Sequence, residues 1–160
     1  MKKGISMKNS KSAFTMIELV FVIVVLGILA AVAIPKMAAT RDDAQIAKGR
    51  SDIASIRSAI VTERQTRLIK GDSTFINKLH AGTVTEPYFD GNGTATLLMY
   101  GVAPDTKDGH WHGANCTGAT PNVCTYLFML LGADNNFTYT QADGKFDCVA
   151  GTASCDQLTK

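Results

Sequence analysis

Residues 8–35 read Lys8-Asn-Ser-Lys-Ser-Ala13-Phe14-Thr15-Met16-Ile17-Glu18-Leu-Val-Phe-Val-Ile-Val-Val-Leu-Gly27-Ile-Leu-Ala-Ala-Val-Ala-Ile34-Pro35, and they decide how the rest of the chain is built. A short basic stretch gives way to 21 residues, Phe14 to Ile34, that are apolar apart from Thr15 and Glu18. As a helix at about 1.5 Å per residue this run is roughly 31 Å long, the thickness of a bilayer's hydrocarbon core. A carboxylate inside such a span costs on the order of 3 kcal/mol, and nothing generic about an apolar span asks for one. Cleavage before Phe14 would place a new α-amino group one helical turn from Glu18, or beside the Glu18 of a neighbouring chain. That pairing would offset the desolvation of both charges while they stay hydrogen-bonded.

The run Phe14-Thr15-Met16-Ile17-Glu18-Leu19, with Gly27 and Pro35 behind it, resembles the N-terminus of type IV pilins and of the pseudopilins of type II secretion. The resemblance implies cleavage between Ala13 and Phe14 by a membrane-embedded prepilin peptidase and N-methylation of Phe14. It implies assembly through Phe14 and Glu18 into a helical homopolymer with this segment at its core. It also implies that the helix can melt between Gly27 and Pro35. Ala13 stands where the family usually has Gly.

Two plainer readings compete. Ala31-Val32-Ala33 after an apolar run has the form of a secretory signal-peptidase site, with Lys2 and Lys3 as its basic region. The run is too long for that and contains Glu18. A simple membrane anchor explains the length but not Glu18, Gly27 or Pro35.

The 160 residues allow one small domain plus an appendage. The expected divisions are a leader at 1–13, a transmembrane or filament-core helix at 14–34, an amphipathic stem at 35–70 and a head at 71–160. Charge is segregated. The leader holds four lysines, the stem eight Lys/Arg against four Asp/Glu, and the head four Lys against nine Asp/Glu. An acidic head argues against non-specific nucleic-acid binding. The four cysteines lie in the C-terminal third without Cys-x-x-Cys spacing. An even count in a small exported domain reads as two disulfides, which favours a periplasmic or extracellular head. Three connectivities are open; Cys116–Cys124 with Cys148–Cys155 is preferred because each pair brackets a short turn-rich segment.

Ile46, Gly49, Ile53, Ile56 and Ile60 step by three and four, an amphipathic stripe. One helix is therefore expected from Phe14 to about Lys70, kinked or loosened at Pro35 and stopped at Gly71. Asp42, Arg50, Arg57 and Arg64 fall on the opposite face. Residues 72–80 are expected as a short capped helix and 81–95 as loop. Strands are expected at 95–100, 125–131, 137–141 and 145–149, the last two joined by Ala142-Asp143-Gly144. Tyr126 to Leu131 is continuously apolar and is expected to be central and buried on both faces. Trp111, between His110 and His112, is expected at a sheet edge or in a loop. The fold class is α+β: a long N-terminal helix packed on a small antiparallel sheet, which is the architecture the resemblance implies.

Candidate ligand residues are few. His110 and His112 would share one strand face as a metal pair, with no third ligand evident. Asp134, Asn136, Asp143 and Asp147 form an oxygen-rich region that matches no EF-hand spacing; the resemblance extends to major pseudopilins that carry calcium near the C-terminus, so structural calcium is the one cofactor considered. Asn-x-Ser/Thr acceptors occur at Asn92, Asn115 and Asn136. Asp90 and Asp134 precede two of them by two residues, which resembles the extended acceptor of bacterial N-glycosylation. No nucleophile–base pair or phosphate-cradling loop is present, so an enzyme is not expected.

The expected function is a structural subunit of a pilus-like filament, foremost a pseudopilin of type II protein secretion. The alternatives are a pilin for adhesion or motility, a competence pseudopilin for DNA uptake, and a non-polymerising anchored binding protein. The resemblance implies a single-pass inner-membrane precursor surrounded by lipid, with its head in the periplasm. Its partners would be further copies of itself, prepilin peptidase, an inner-membrane assembly platform and minor pilins.

Overall fold

The computed structural model describes residues 14–82, 88–151 and 154–159. The chain forms two compact units, Met1–Thr40 and Arg41–Lys160. Helix α1, Met16–Ile69, begins in the first unit and continues into the second. Four strands follow, β1 His110–Cys116, β2 Val123–Leu130, β3 Ala133–Thr140 and β4 Lys145–Cys148, then a short α2, Cys155–Thr159. The sheet is an antiparallel meander in the order β1-β2-β3-β4. The architecture is α+β.

In the second unit the isoleucine stripe of α1 forms one wall of the core. Ile53, Ile56 and Ile60 are buried against Trp111, Tyr126, Phe128, Phe137, Tyr139 and Phe146 of the sheet. Gly49 continues the stripe for a steric reason. A Cβ there would lie 2.7 Å from Leu158 Cδ2 and 2.9 Å from the Phe128 ring. The missing side chain lets Leu158 of α2 wedge between helix and strand. The helix stops at a Schellman turn. Gly71, at φ +84°, donates to Leu68 O at 3.0 Å, and Asp72 N donates to Arg67 O at 2.9 Å.

Four local expectations are corrected. β2 is central, but its burial alternates: Cys124, Tyr126, Phe128 and Leu130 face the core, while Thr125, Leu127 and Met129 are half-buried on the other face. Only one face of the sheet meets α1. β1 is a strand where none was expected; Trp111 does lie at the sheet edge, on this edge strand, but its ring is fully buried in the core. Residues 72–80 form turns rather than a helix, because the Asp72 carboxylate bonds both Thr74 N (2.9 Å) and Thr74 Oγ1 (2.8 Å) and ion-pairs with Arg67. Residues 95–100 make no strand. There the Asn92 carboxamide oxygen accepts Thr94 N and Ala95 N, so a side chain takes backbone donors that a ladder would need.

The arginines expected on the solvated face of α1 instead bind the head along its flank. Arg50 donates to Gln157 O (2.6 Å), and Arg57 to Phe146 O (2.9 Å) and Asp147 (2.8 Å); Arg64 stacks 4.5 Å above the Phe75 ring. A heptad spacing keeps the three on one line of the helix.

The turn region 76–80 is tied to the sheet by tyrosines. Tyr139 Oη donates to Ile76 O at 2.6 Å, and Tyr126 Oη accepts Leu79 N at 3.0 Å and lies 2.9 Å from His80 Nδ1. Burial pushes both phenols up, and it pushes His80 below the ordinary histidine range; Lys78 adds to that shift and Asp90 opposes it. A histidine whose folded-state pKa is depressed contributes stability that is fully present above its unfolded value near 6.5 and is lost as pH falls from there through the lower folded-state value. The head is therefore expected to lose thermal stability as pH drops below about 6.5. His80→Gln should flatten that slope in a pH series of melting curves; an unchanged slope would remove His80 as its cause.

Candidate assembly site

Every described side chain from Phe14 to Ile34 is exposed, including Phe14 (81%), Ile17 (74%) and Ile28 (65%). At roughly 25 cal/mol per Å² so many uncovered apolar side chains are not sustainable in water. The stretch is long and apolar enough to cross a membrane.

The start of α1 has a device the sequence reading missed. Thr15 precedes the first helical residue, and Glu18 is three residues on, the spacing of a capping box. Thr15 N and Thr15 Oγ1 both lie 3.4 Å from Glu18 Oε2, and Glu18 N donates to Thr15 Oγ1 at 3.3 Å. These bonds are long, so they hold the carboxylate loosely and leave it open to a stronger donor. The glutamate thus has a generic reason to be present, contrary to the sequence expectation. Gly27 has open space around it, and the helix is continuous through Pro35. Ala13 lies outside the described residues.

The other candidate residues are dispersed over the head. Cys116–Cys124 and Cys148–Cys155 are disulfides, the first joining directly opposed residues of β1 and β2. Loops of this length stabilise by about 2–3 kcal/mol each. Asp134 is held by His112 Nε2 at 2.7 Å, Asp143 by Lys145 N at 3.1 Å and Asp147 by Arg57. His110 Nδ1 lies 3.2 Å from Asp108 O. The three acids proposed for calcium are thus each engaged separately, and no group of three His, Cys, Asp or Glu suited to a metal occurs among the described residues. Asn92 donates to Asn77 Oδ1 and holds its own turn, Asn115 is exposed on β1, and Asn136 lies in β3 opposite Leu127.

A long apolar helix start with one carboxylate in its first turn, together with a helix-backed antiparallel sheet, defines an α+β chain with one helix long and apolar enough to cross a membrane. Residues 8–34 match the prokaryotic N-terminal methylation motif. The chain is 38% identical over 53 residues to type II secretion system core protein G of Pseudomonas aeruginosa, covering 33% of this chain and 37% of that protein. It is 32% identical over 89 residues to the protein of the same name from Aeromonas hydrophila, covering 52% and 62%. To the type IV narrow pilus major component PilA5 of Thermus thermophilus it is 32% identical over 95 residues, 58% of this chain and 81% of that one. The chain belongs to the type IV pilin and pseudopilin family. Its matches span less than two thirds of either secretion-system relative. No solved structure matches it.

Proposed function

We propose that this chain is a structural subunit of a pilus-like filament, and within that class a pseudopilin of a type II secretion-like export machine. The observation that carries the reading is the uncovered apolar start of α1 with Glu18 loosely held in its first turn. In the precursor that surface is covered by lipid. After cleavage between Ala13 and Phe14 it is covered by the same segment of other copies. The Phe14 amine of one copy then takes the Glu18 oxygen of another and fixes the axial register. Gly27 and Pro35 bound the stretch of helix that can loosen during this transfer. The acidic head stays in the periplasm and faces solvent. Work is done by polymerisation on an inner-membrane platform, with no side-chain chemistry.

Mass analysis of the mature N-terminus tests the processing step. N-methylated Phe14 is the expected result; an intact Met1 would reduce the chain to a simple anchor, and a terminus near Ile34 would make it an ordinary secreted protein. The coverage of the narrow-pilus component favours a surface pilin as the second reading. Deleting the gene and assaying protein secretion and surface fibres separates the two.

A further inference from the structure

Arg64 differs from the two other arginines on its line of α1. Arg50 and Arg57 each donate to a backbone carbonyl. The Arg64 guanidinium lies 4.5 Å from the Phe75 ring centre and makes no hydrogen bond or ion pair among the described residues. Its Nη1 is sealed from solvent. Nε and Nη2 are not, so one edge of the fork keeps two N–H donors within reach of a ligand.

Arg64 lines a pocket of about 280 Å³ where α1 meets the turn at 73–75, the segment Thr120-Pro121 and the end of β3 at Gln141-Ala142. The walls are fixed by bonds of their own. The Phe75 ring lies so close to Gly144 that a Cβ there has no room. Gln141 commits both ends of its amide, Nε2 donating to Phe75 O at 3.2 Å and Oε1 accepting Asn122 N at 2.8 Å. Thr74 Oγ1 donates to Asp72 at 2.8 Å. The hydroxyls of Ser73 and Thr120 are uncommitted among the described residues. The pocket therefore presents one guanidinium edge and two hydroxyl donors on a rigid frame.

The lining carries one formal charge, and it is positive. An anion is the matching ligand, and two features narrow its kind. A planar fork takes the two oxygens of a carboxylate side by side. Two carboxylates of the chain flank the pocket: Asp72 is bonded to Thr74 and paired with Arg67, and Asp143 follows Ala142 and is paired with Lys145. Their charge disfavours a dianion such as phosphate more than a single carboxylate. Phe75, Pro121 and Ala142 add apolar surface for a short stem. We propose that the pocket binds one carboxylate on a short aliphatic stem, with Arg64 Nε and Nη2 as paired donors and the hydroxyls of Ser73 and Thr120 beside them. The carboxylate arrives on an acidic side chain of a second copy, whose head holds nine Asp/Glu against four Lys, or as a free aliphatic carboxylate.

Binding is tested on unassembled full-length protein in detergent, so it stands or falls apart from the filament reading. Backbone amide signals of residues 73–75 and 141–142 are followed by NMR at constant ionic strength. Butyrate is compared with butyramide, which has the stem without the charge, and with chloride, which has the charge without the paired oxygens. The expected result is a saturable shift with butyrate and none with the other two. Arg64→Lys keeps the charge and loses the fork, and should raise the half-saturating concentration about tenfold or more. Ser73→Ala combined with Thr120→Val should act in the same direction, and it serves alone if the Arg64 variant fails to fold. No saturable shift with butyrate, an equal response to chloride or butyramide, or an unaltered response in a folded variant overturns the proposal. Carbodiimide coupling of Arg64→Lys in native membranes then distinguishes the source. An amide from position 64 that joins two chains identifies an acid of a second copy. Butyrate binding without that amide identifies a free carboxylate. An amide from position 64 to Asp72 or Asp143 of the same chain overturns the proposal, because the chain then fills its own pocket.

Discussion

Glu18→Gln is expected to leave the first turn of α1 standing and to abolish assembly. Glutamine serves a capping box as well as glutamate, so the Thr15 N–H keeps its partner. What is lost is the negative charge. In the assembled state the Phe14 amine would then sit in an apolar interior without a counter-charge, and breaking one partner of a buried ion pair costs about 3–5 kcal/mol. That cost recurs at every subunit, so filament yield falls below detection. Under the proposed mechanism, membrane insertion and cleavage of the precursor should stay normal. Glu18→Ala or Glu18→Val should fail in the same way, with a frayed helix start in addition. Sheared-filament yield beside the membrane-bound pool is the measurement. Normal yield from Glu18→Gln would assign the glutamate to capping alone and remove the charge-pairing mechanism.

Trp111→Ala is expected to destabilise the head more than any other single truncation in the sheet. The indole is fully buried, with ring centroids at 4.9 Å from Phe128, 5.0 Å from Phe89 and 5.1 Å from Phe137. Its N–H donates to Asp52 Oδ2 of α1 at 3.2 Å, so it bonds helix to sheet as well as filling the core. Removing such a side chain costs about 3–5 kcal/mol, a large share of a small domain's stability. Trp111→Phe keeps most of the packing and forfeits the hydrogen bond, and should cost about 1–2 kcal/mol. Denaturant unfolding of the two variants checks the order. A loss below about 1 kcal/mol for Trp111→Ala would mean that the neighbouring rings close the gap.

The long-range elements of this fold are written plainly in the chain. The stripe Ile46 to Ile60 survives as the core face of α1, and the turn Ala142-Asp143-Gly144 joins β3 to β4 as its residues imply. What the sequence conceals is where short polar side chains outcompete regular pairing. Asn92 and Asp72 each satisfy nearby backbone donors, and so an apolar run at 95–98 bends and a helix-like start at 72 turns away. β1 is hidden for a related reason. Its register shifts between His112 and Ala114, with Gly113 in the left-handed region, so its inward residues do not alternate evenly. At the candidate site, Glu18 stands out as a charge in an apolar run, and that contrast masks its ordinary spacing from Thr15.

Both disulfides staple the head to itself. One joins β1 to β2, the other fastens the α2 segment to β4, and neither reaches α1. If subunits are linked end to end through residues 14–34, tension on the fibre enters each head along α1 and must pass into the sheet as shear. The seam that bears it includes the isoleucine stripe, the Leu158 wedge, the Trp111–Asp52 hydrogen bond and the contacts of Arg50 and Arg57. The covalent links are thus off the load path, and a pulled fibre should yield by peeling the sheet from the helix, with reducing agents softening the head without changing where the break begins.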